Sequence, residues 1–336
     1  MSPKVTVCIP TFNRAGYLRE AIQSVLNQTF TDFELLVSDN ASSDNSAEVV
    51  ASFTDPRVRY HRHVENIGMG ANFRACTELA QTEWIAFLSD DDLFQPDHLE
   101  RAFGALSTYP QSVYYACAIE MFGDCPTEIR RPAALTHVVE PLTYYAPAHA
   151  VDFLGLENPG FLNTIVCRTH AFKKDLFWGK PHFVHMDVLV MTQLMAQGGF
   201  VFDTASTVRY RCHTSNISQR LSNRRYTLRL ACMFSYTVRY LAQYLLDQRI
   251  AQLADIERHG LTTSSLACAR ALVFGLGSFE SSSQLREIAR RIFVARRDAD
   301  ATPSMFNIAL RLARKLGFWV IPMFERASQI AAGWRP

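Results

Sequence analysis

An α/β fold follows from three features of this 336-residue chain, with a mainly parallel (mixed) sheet flanked by helices and a C-terminal α-helical extension. Short apolar runs alternate with helix-period stretches through the first half, and strand and helix at that spacing imply βαβ crossovers joining parallel strands. Polar and acidic residues appear where the apolar runs stop. Beyond Ser218 the character changes to Arg-rich amphipathic helices. The length suggests roughly two domains. We place a principal domain over residues 1–218, with halves 1–115 and 116–218, and the helical extension over 219–336.

VTVCIP (5–10) is a β-rich run, and a helix-period stretch follows over about 14–27, with Ala15, Leu18, Ile22, Val25 and Leu26 inward and Asn13 as its cap. FELLVSD (33–39) is the second strand, and Ser43 or Asp44 caps a helix running through Val49 and Val50. VRYHR makes a third strand, 69–80 a helix, and WIAFLSD (84–90) a fourth strand. Pro96 opens the next helix. SVYYACAI is a strand followed by Pro-rich connections, and IVCR (165–168) is another. Residues 187–197 are helix-patterned and stop at Gly198-Gly199. FVFD and TVRYRCH follow as two strands. The extension divides into helices at roughly 222–247, 249–258, 263–277, 284–297 and 304–330.

Composition narrows the function classes. The apolar content of 48% is ordinary for a globular protein with a large core, and the net charge of +2 is too small to imply nucleic acid as a partner. The first four residues run straight into an apolar stretch without a basic-then-apolar leader, so no cleaved signal is expected. No stretch approaches the ~18 apolar residues of a membrane span. The eight cysteines are scattered with no Cys-x-x-Cys pair, which reads as buried thiols in a reducing, cytoplasmic setting and not as zinc ligands or a disulfide frame.

In parallel sheets, ligands bind beyond the carboxyl ends of the strands. Those ends carry Thr11, Phe12 and Asn13, then Ser38 and Asp39, then Asp90, Asp91 and Asp92. Three adjacent carboxylates repel one another unless a cation offsets the field. Oxygen ligands of this kind suit Mg2+ or Mn2+, which keep positions free for a substrate's phosphates. The bland alternative is a solvated acidic turn capping the following helix. Convergence of polar groups from separate strands favours a site.

Four ordered segments then resemble the motifs of family-two glycosyltransferases of the GT-A fold: VTVCIPTFNRAGYLREAIQSVLNQTFTDFELLVSDNASSDNS, ENIGMGANFRACTELAQTEWIAFLSDDD, FVHMDVLVMTQL and VRYRCHTSNIS. The resemblance covers about residues 4–218 and leaves out the extension. It implies transfer of a sugar from a nucleoside-diphosphate donor to an acceptor hydroxyl, with 1–115 as the nucleotide-sugar-binding half and 116–218 as the acceptor side. It implies that the backbone at Pro10, Thr11 and Asn13 receives the nucleobase and that Arg14 meets a phosphate. Asp39 corresponds to the base-binding acid, whose acceptance of a uracil or thymine N–H favours UDP- or dTDP-sugars; a plain Asx turn is its structural reading. Asn72 and Arg74 lie in the stretch that completes the nucleotide pocket.

The metal motif of the family is usually Asp-x-Asp followed by another Asp; here it reads Ser89, Asp90, Asp91, Asp92, so serine replaces the first acid. Asp91 then aligns with the metal ligand, Asp90 faces ribose or sugar hydroxyls, and Asp92 is a second ligand or a helix-capping group. His213 resembles the late histidine that completes the metal shell in many GT-A enzymes; a strand-end histidine with a structural role is the other reading. The general base of the family comes from a Glu-Asp motif, which here reads Met186-Asp187. Asp187 is therefore the expected base, with inversion at the anomeric carbon. Asp152 and Glu157 are the fallback bases.

A nicotinamide or flavin site would need Gly-x-Gly-x-x-Gly after the first strand, and a P-loop its Gly-Lys-Ser/Thr; neither is present. A nucleotidyltransferase of similar architecture lacks its Gly-rich basic loop here. A sugar- or nucleotide-binding module without catalysis remains the non-enzyme alternative, given Ser89 and Met186. For 304–330, Arg311, Arg314 and Lys315 flank Leu312, Leu316, Phe318 and Trp319. Such a helix either lies on the membrane surface, where a lipid-linked glycan acceptor resides, or packs on its neighbours or on a second subunit of a homo-oligomer. Surface-polysaccharide or lipopolysaccharide synthesis follows from the resemblance alone.

Overall fold

The computed structural model describes residues 3–124, 140–149, 161–173, 186–213 and 248–250. The boundary at 218, the fallback bases Asp152 and Glu157, and the extension apart from 248–250 lie outside the described residues.

In chain order the elements are β1 (Val5–Thr11), α1 (Ala15–Leu26), β2 (Phe33–Asp39), α2 (Ser46–Ala51), β3 (Val58–Arg62), α3 (Met69–Leu79), β4 (Trp84–Phe87), β5 (Leu93–Phe94), α4 (His98–Thr108) and β6 (Tyr114–Gly123). β7 (Leu142–Tyr145), a 3-10 turn (Leu162–Thr164), β8 (Val166–Arg168), α5 (Thr169–Lys173), α6 (Met186–Gly198) and β9 (Phe200–Cys212) complete them. The sheet runs in the order β3-β2-β1-β4-β8-β6-β9-β5, with β7 pairing β9. β3, β2, β1 and β4 are mutually parallel, as the βαβ spacing requires. The second half is mixed: β8 is antiparallel to both β4 and β6, β6 is parallel to β9, and β5 and β7 are antiparallel to β9.

Side chains alternate across the sheet and build two cores. Along β1, Val5, Val7 and Ile9 join one cluster with Leu18, Ile22 and Val25 of α1, whereas Cys8 points to the other, beside Ile85, Phe87 and Phe200. Each fully buried side chain of this size contributes about 1.5–3 kcal/mol relative to exposure. Leu26 is only half-buried at the end of its helix. Asn13 does not cap α1. It takes a left-handed conformation, φ 55°, and its Oδ1 accepts the Ser43 N–H at 2.7 Å. Asp44 bridges both helix starts instead, accepting the Ala15 N–H at 3.0 Å through Oδ2 and the Ser46 N–H at 3.1 Å through Oδ1. The helix opened by Pro96 begins two residues later, at His98.

FVFD and TVRYRCH form one 13-residue strand, β9, rather than two. Its register against β6 jumps from Cys117↔Asp203 to Ala118↔Ser206, a bulge that the sequence shows as a polar gap. The buried Asp203 carboxylate holds this bulge, accepting from Arg101, Tyr115 and the Ala205 N–H. Gly199, at φ +78°, makes the turn from α6 into β9; a Cβ there would lie 2.3 Å from the Tyr145 carbonyl oxygen. Cys8, Cys76, Cys117 and Cys167 are buried free thiols, as expected. Cys212 is disulfide-bonded, which corrects the reading of all eight cysteines as unpaired.

Candidate active site

Strand direction places the site. β1, β2 and β4 run in parallel, so Thr11, Asp39 and the turn after Phe87 share one rim. β4 and β6 are both antiparallel to β8, and β9 is parallel to β6, so β9 also runs with β4 and delivers Cys212 and His213 to that same rim. The fourth strand stops at Phe87, three residues earlier than its apolar run suggests, and a turn closed by the Asp92 N–H to Ser89 carbonyl bond displays the acids.

Asp90 is buried and accepts from the Thr11 hydroxyl at 2.8 Å. Asp91 Oδ2 is met from two sides, by Arg14 Nη1 from the start of α1 and by His213 Nε2 at 3.0 Å. Arg14 Nη1 also lies 3.8 Å from Asp90 Oδ1. The Tyr17 ring stacks on His213, with centroids 4.9 Å apart. Arg14, Asp90, Asp91 and His213 are thus brought together as expected. Asp92 sits among them differently: at 1% exposure, its Oδ1 accepts the Arg211 backbone N–H at 2.8 Å and its Oδ2 accepts Asn163 Nδ2 at 2.5 Å. Asn163 carries no motif signal, and Arg211 lies within the VRYRCHTSNIS segment without being singled out there. Its one indirect sign is position, two residues before His213 at the end of β9.

Asp39 is fully buried, with Oδ1 accepting the Ser42 N–H at 2.8 Å and Oδ2 the Tyr60 hydroxyl at 2.5 Å. Arg62 Nε stands 3.8 Å from Oδ2. Burial, then the hydrogen bond to Asp39, pushes the Tyr60 phenol up, so it stays a donor. Asn72 is a buried link: its Nδ2 donates to the Ser38 carbonyl at 2.9 Å, and its Oδ1 accepts the Ser38 hydroxyl at 2.7 Å. Arg74 pairs with Glu78 on the exposed side of α3. Pro10 is buried in β1, and Asp187 is the second residue of α6; its side chain lies outside what is described.

Burial and the adjacent Asp91 charge push Asp90 up to about 7, against the opposing pull of Arg14 and the Thr11 hydroxyl. The same two causes push Asp92 up to about 8, opposed by the Arg211 N–H and Asn163. Each carboxyl keeps a proton in the folded protein over a range where the unfolded chain has released it. Stability that is complete near pH 4 is therefore lost as pH rises through about 7 and 8. We expect the melting temperature in EDTA to fall between about pH 6.5 and 8.5. A cation at Asp91 would offset the Asp91 charge, the second cause of both shifts after burial, so Mn2+ should raise the melting temperature more at the higher pH. Equal Mn2+ effects at both pH values would show that the acids do not sense the ion.

The residues fit a divalent ion. Asp91 Oδ2 and His213 Nε2 are 3.0 Å apart, and adjacent ligands of an octahedral ion at about 2.1 Å stand about 3 Å from each other. Carboxylate with imidazole suits Mn2+ or Mg2+ bound in part by non-protein oxygens. Among the described residues, no group of three or more His, Cys, Asp or Glu side chains is placed to hold a metal ion, so Asp91 and His213 would share the ion with non-protein ligands.

The mixed sheet with an acidic turn on its parallel rim has a fold shared with solved structures. S. aureus TarS 1-349 in complex with UDP-GlcNAc is 14% identical, with a TM-score of 0.56 over 88% of this chain and 88% of that one. The mannosyltransferase PcManGT from Pyrobaculum calidifontis, in complex with GDP-Man and Mn2+, is 17% identical with a TM-score of 0.55, covering 99% and 85%. At these identities the likeness concerns the fold. Residues 6–178 match glycosyl transferase family 2, and the chain belongs to that family. The GalNAc(5)-diNAcBac-PP-undecaprenol beta-1,3-glucosyltransferase of Campylobacter jejuni is 39% identical over 130 residues, which span 38% of this chain and 39% of that relative. Among the described residues, no helix is long and apolar enough to cross a membrane.

Proposed function

We propose that this chain is an inverting glycosyltransferase that moves a sugar from a nucleoside diphosphate to an acceptor hydroxyl during bacterial surface-glycan synthesis. The observation that carries the reading is the meeting of Arg14, Asp90, Asp91 and His213 at one rim of a family 2 fold. Arg14 provides positive charge where the diphosphate departs, and Asp90 faces the ribose or sugar hydroxyls. Asp187 takes the proton of the acceptor hydroxyl as its oxygen bonds to the anomeric carbon. The bond from that carbon to the phosphate oxygen breaks, and the diphosphate leaves with the electron pair. A bound Mn2+ or Mg2+, held by Asp91 and His213, supplies Lewis-acid neutralisation of the leaving group.

Asp39 recognises the base. Two of its roughly four acceptor positions are taken by Tyr60 and Ser42, which leaves capacity for the N–H of a uracil or thymine. UDP- or dTDP-sugars are the favoured donors. The lipid-linked acceptor in the name of the C. jejuni relative supports a glycan on a lipid carrier as the acceptor here. On this reading the enzyme works at the cytoplasmic face of the membrane, and the basic amphipathic stretch 304–330 is the segment whose sequence suits that surface.

A screen of nucleotide sugars for thermal protection, with and without Mn2+, tests the reading. One UDP- or dTDP-sugar should raise the melting temperature by mass action, and more with Mn2+. Asp39→Asn should weaken that donor roughly 10- to 100-fold, the loss of one hydrogen bond to a charged group. Protection by no nucleotide sugar would sink the proposal. Binding without transfer to any glycan acceptor would favour the non-catalytic module.

A further inference from the structure

We infer that Asp92 is a positioning residue and not a metal ligand: with Arg211 and Asn163 it forms a clamp that fixes the spacing of Asp91 and His213. The inference rests on the reading of Asp91 and His213 as the metal-holding pair. Three segments distant in sequence meet at the Asp92 carboxylate: its own turn after β4, the 3-10 turn carrying Asn163, and the end of β9 carrying Arg211. Each oxygen is already bonded to a fixed donor, and the side chain is almost fully enclosed. A ligand role would require one of those bonds to break inside the protein.

Arg211 extends the clamp. Its Nε donates to the Asp91 carbonyl oxygen at 2.7 Å, and its Nη2 donates to Glu20 Oε2 on α1 at 2.8 Å. Its guanidinium lies over the Tyr17 ring at 5.0 Å, and Tyr17 in turn stacks on His213. The backbone of Asp91 and the ring plane of His213 are thus both referenced to one arginine. Because Arg211 is in the last two residues of β9 and His213 directly follows that strand, the Arg211 N–H bond to Asp92 sets how far His213 projects toward Asp91. Hydrogen bonds that orient a metal ligand from behind typically govern 10- to 100-fold of metal affinity.

Asn163 makes the idea testable by an isosteric change. Its Oδ1 is buried without a hydrogen-bond partner. In Asp92→Asn the new Oδ1 keeps the Arg211 N–H, and the new Nδ2 donates to Asn163 Oδ1 once the Asn163 amide turns over. The clamp survives although the carboxyl is gone. A ligand would not survive that change.

The experiment is Mn2+ affinity of the full-length chain by electron paramagnetic resonance, with far-UV circular dichroism as the folding check. Asp92→Asn should stay within about threefold of wild type, whereas Asp92→Ala and Asn163→Ala should each bind roughly 10- to 100-fold more weakly. If Asp92→Ala does not fold, Asn163→Ala carries the test. A fall for Asp92→Asn as deep as that for Asp91→Asn makes Asp92 a ligand and overturns the inference. Unchanged affinity in both alanine variants removes the clamp. Wild-type affinity in Asp91→Asn instead refutes the metal pair on which the inference stands.

Discussion

Asp91→Asn is expected to leave a folded protein that has lost transfer by roughly 10²- to 10⁴-fold in kcat, because Lewis-acid neutralisation is worth several kcal/mol and each 1.36 kcal/mol is tenfold in rate. The geometry makes Asp91 the point of largest leverage. It alone of the three acids presents an oxygen to both a cation, Arg14, and an imidazole, His213. Asp90 is tied to Thr11, and Asp92 to Arg211 and Asn163. Asparagine keeps the shape of Asp91 and its capacity to accept from Arg14, so the fold has little reason to respond. What disappears is the charge that draws a divalent ion into the turn. Two measurements separate this from general damage: single-turnover transfer should collapse, and the Mn2+-dependent rise in melting temperature should vanish at every pH. Transfer retained within about tenfold would mean that the diphosphate is neutralised elsewhere, with Arg14 the first alternative.

The site was legible where it lies next to a strand end in sequence. The runs ending at Thr11, Asp39 and Phe87 are parallel neighbours, so reading their ends was enough to gather Arg14, Asp39 and the acidic turn. His213 was found by motif alone; the sheet then supplied the reason, two antiparallel pairings through β8 that return β9 to the direction of β4. Asn163 was invisible because its only claim is tertiary, a bond across 71 positions to Asp92. β5 and β7 escaped for a similar reason: two and four residues long, they are strands only by pairing with β9. The long strand β9 was read as two because DTAS looks like a loop, whereas Asp203 is buried and holds a bulge. Asn13 shows the reverse error, a residue with capping chemistry next to a helix whose first N–H is taken by Asp44 from another loop.

Asp187→Asn should lower kcat by about 10²- to 10⁴-fold while leaving donor and Mn2+ affinity near wild type, the signature of a lost general base. Asp187 is the second residue of α6, where backbone N–H groups and the helix dipole favour a carboxylate over a carboxylic acid. The helix is held by the buried Val190, Met191, Leu194 and Met195 in the core. Asparagine at this position still accepts a hydrogen bond from the acceptor hydroxyl, but it cannot take the proton. The acid limb of the wild-type pH–rate profile should therefore disappear in the variant, because the group whose protonation causes it is gone. A capping role alone would change stability and leave kcat and that limb untouched. Should transfer persist unchanged, the base lies between β7 and the 3-10 turn, and Glu157→Gln and Asp152→Asn become the variants that must show the same loss.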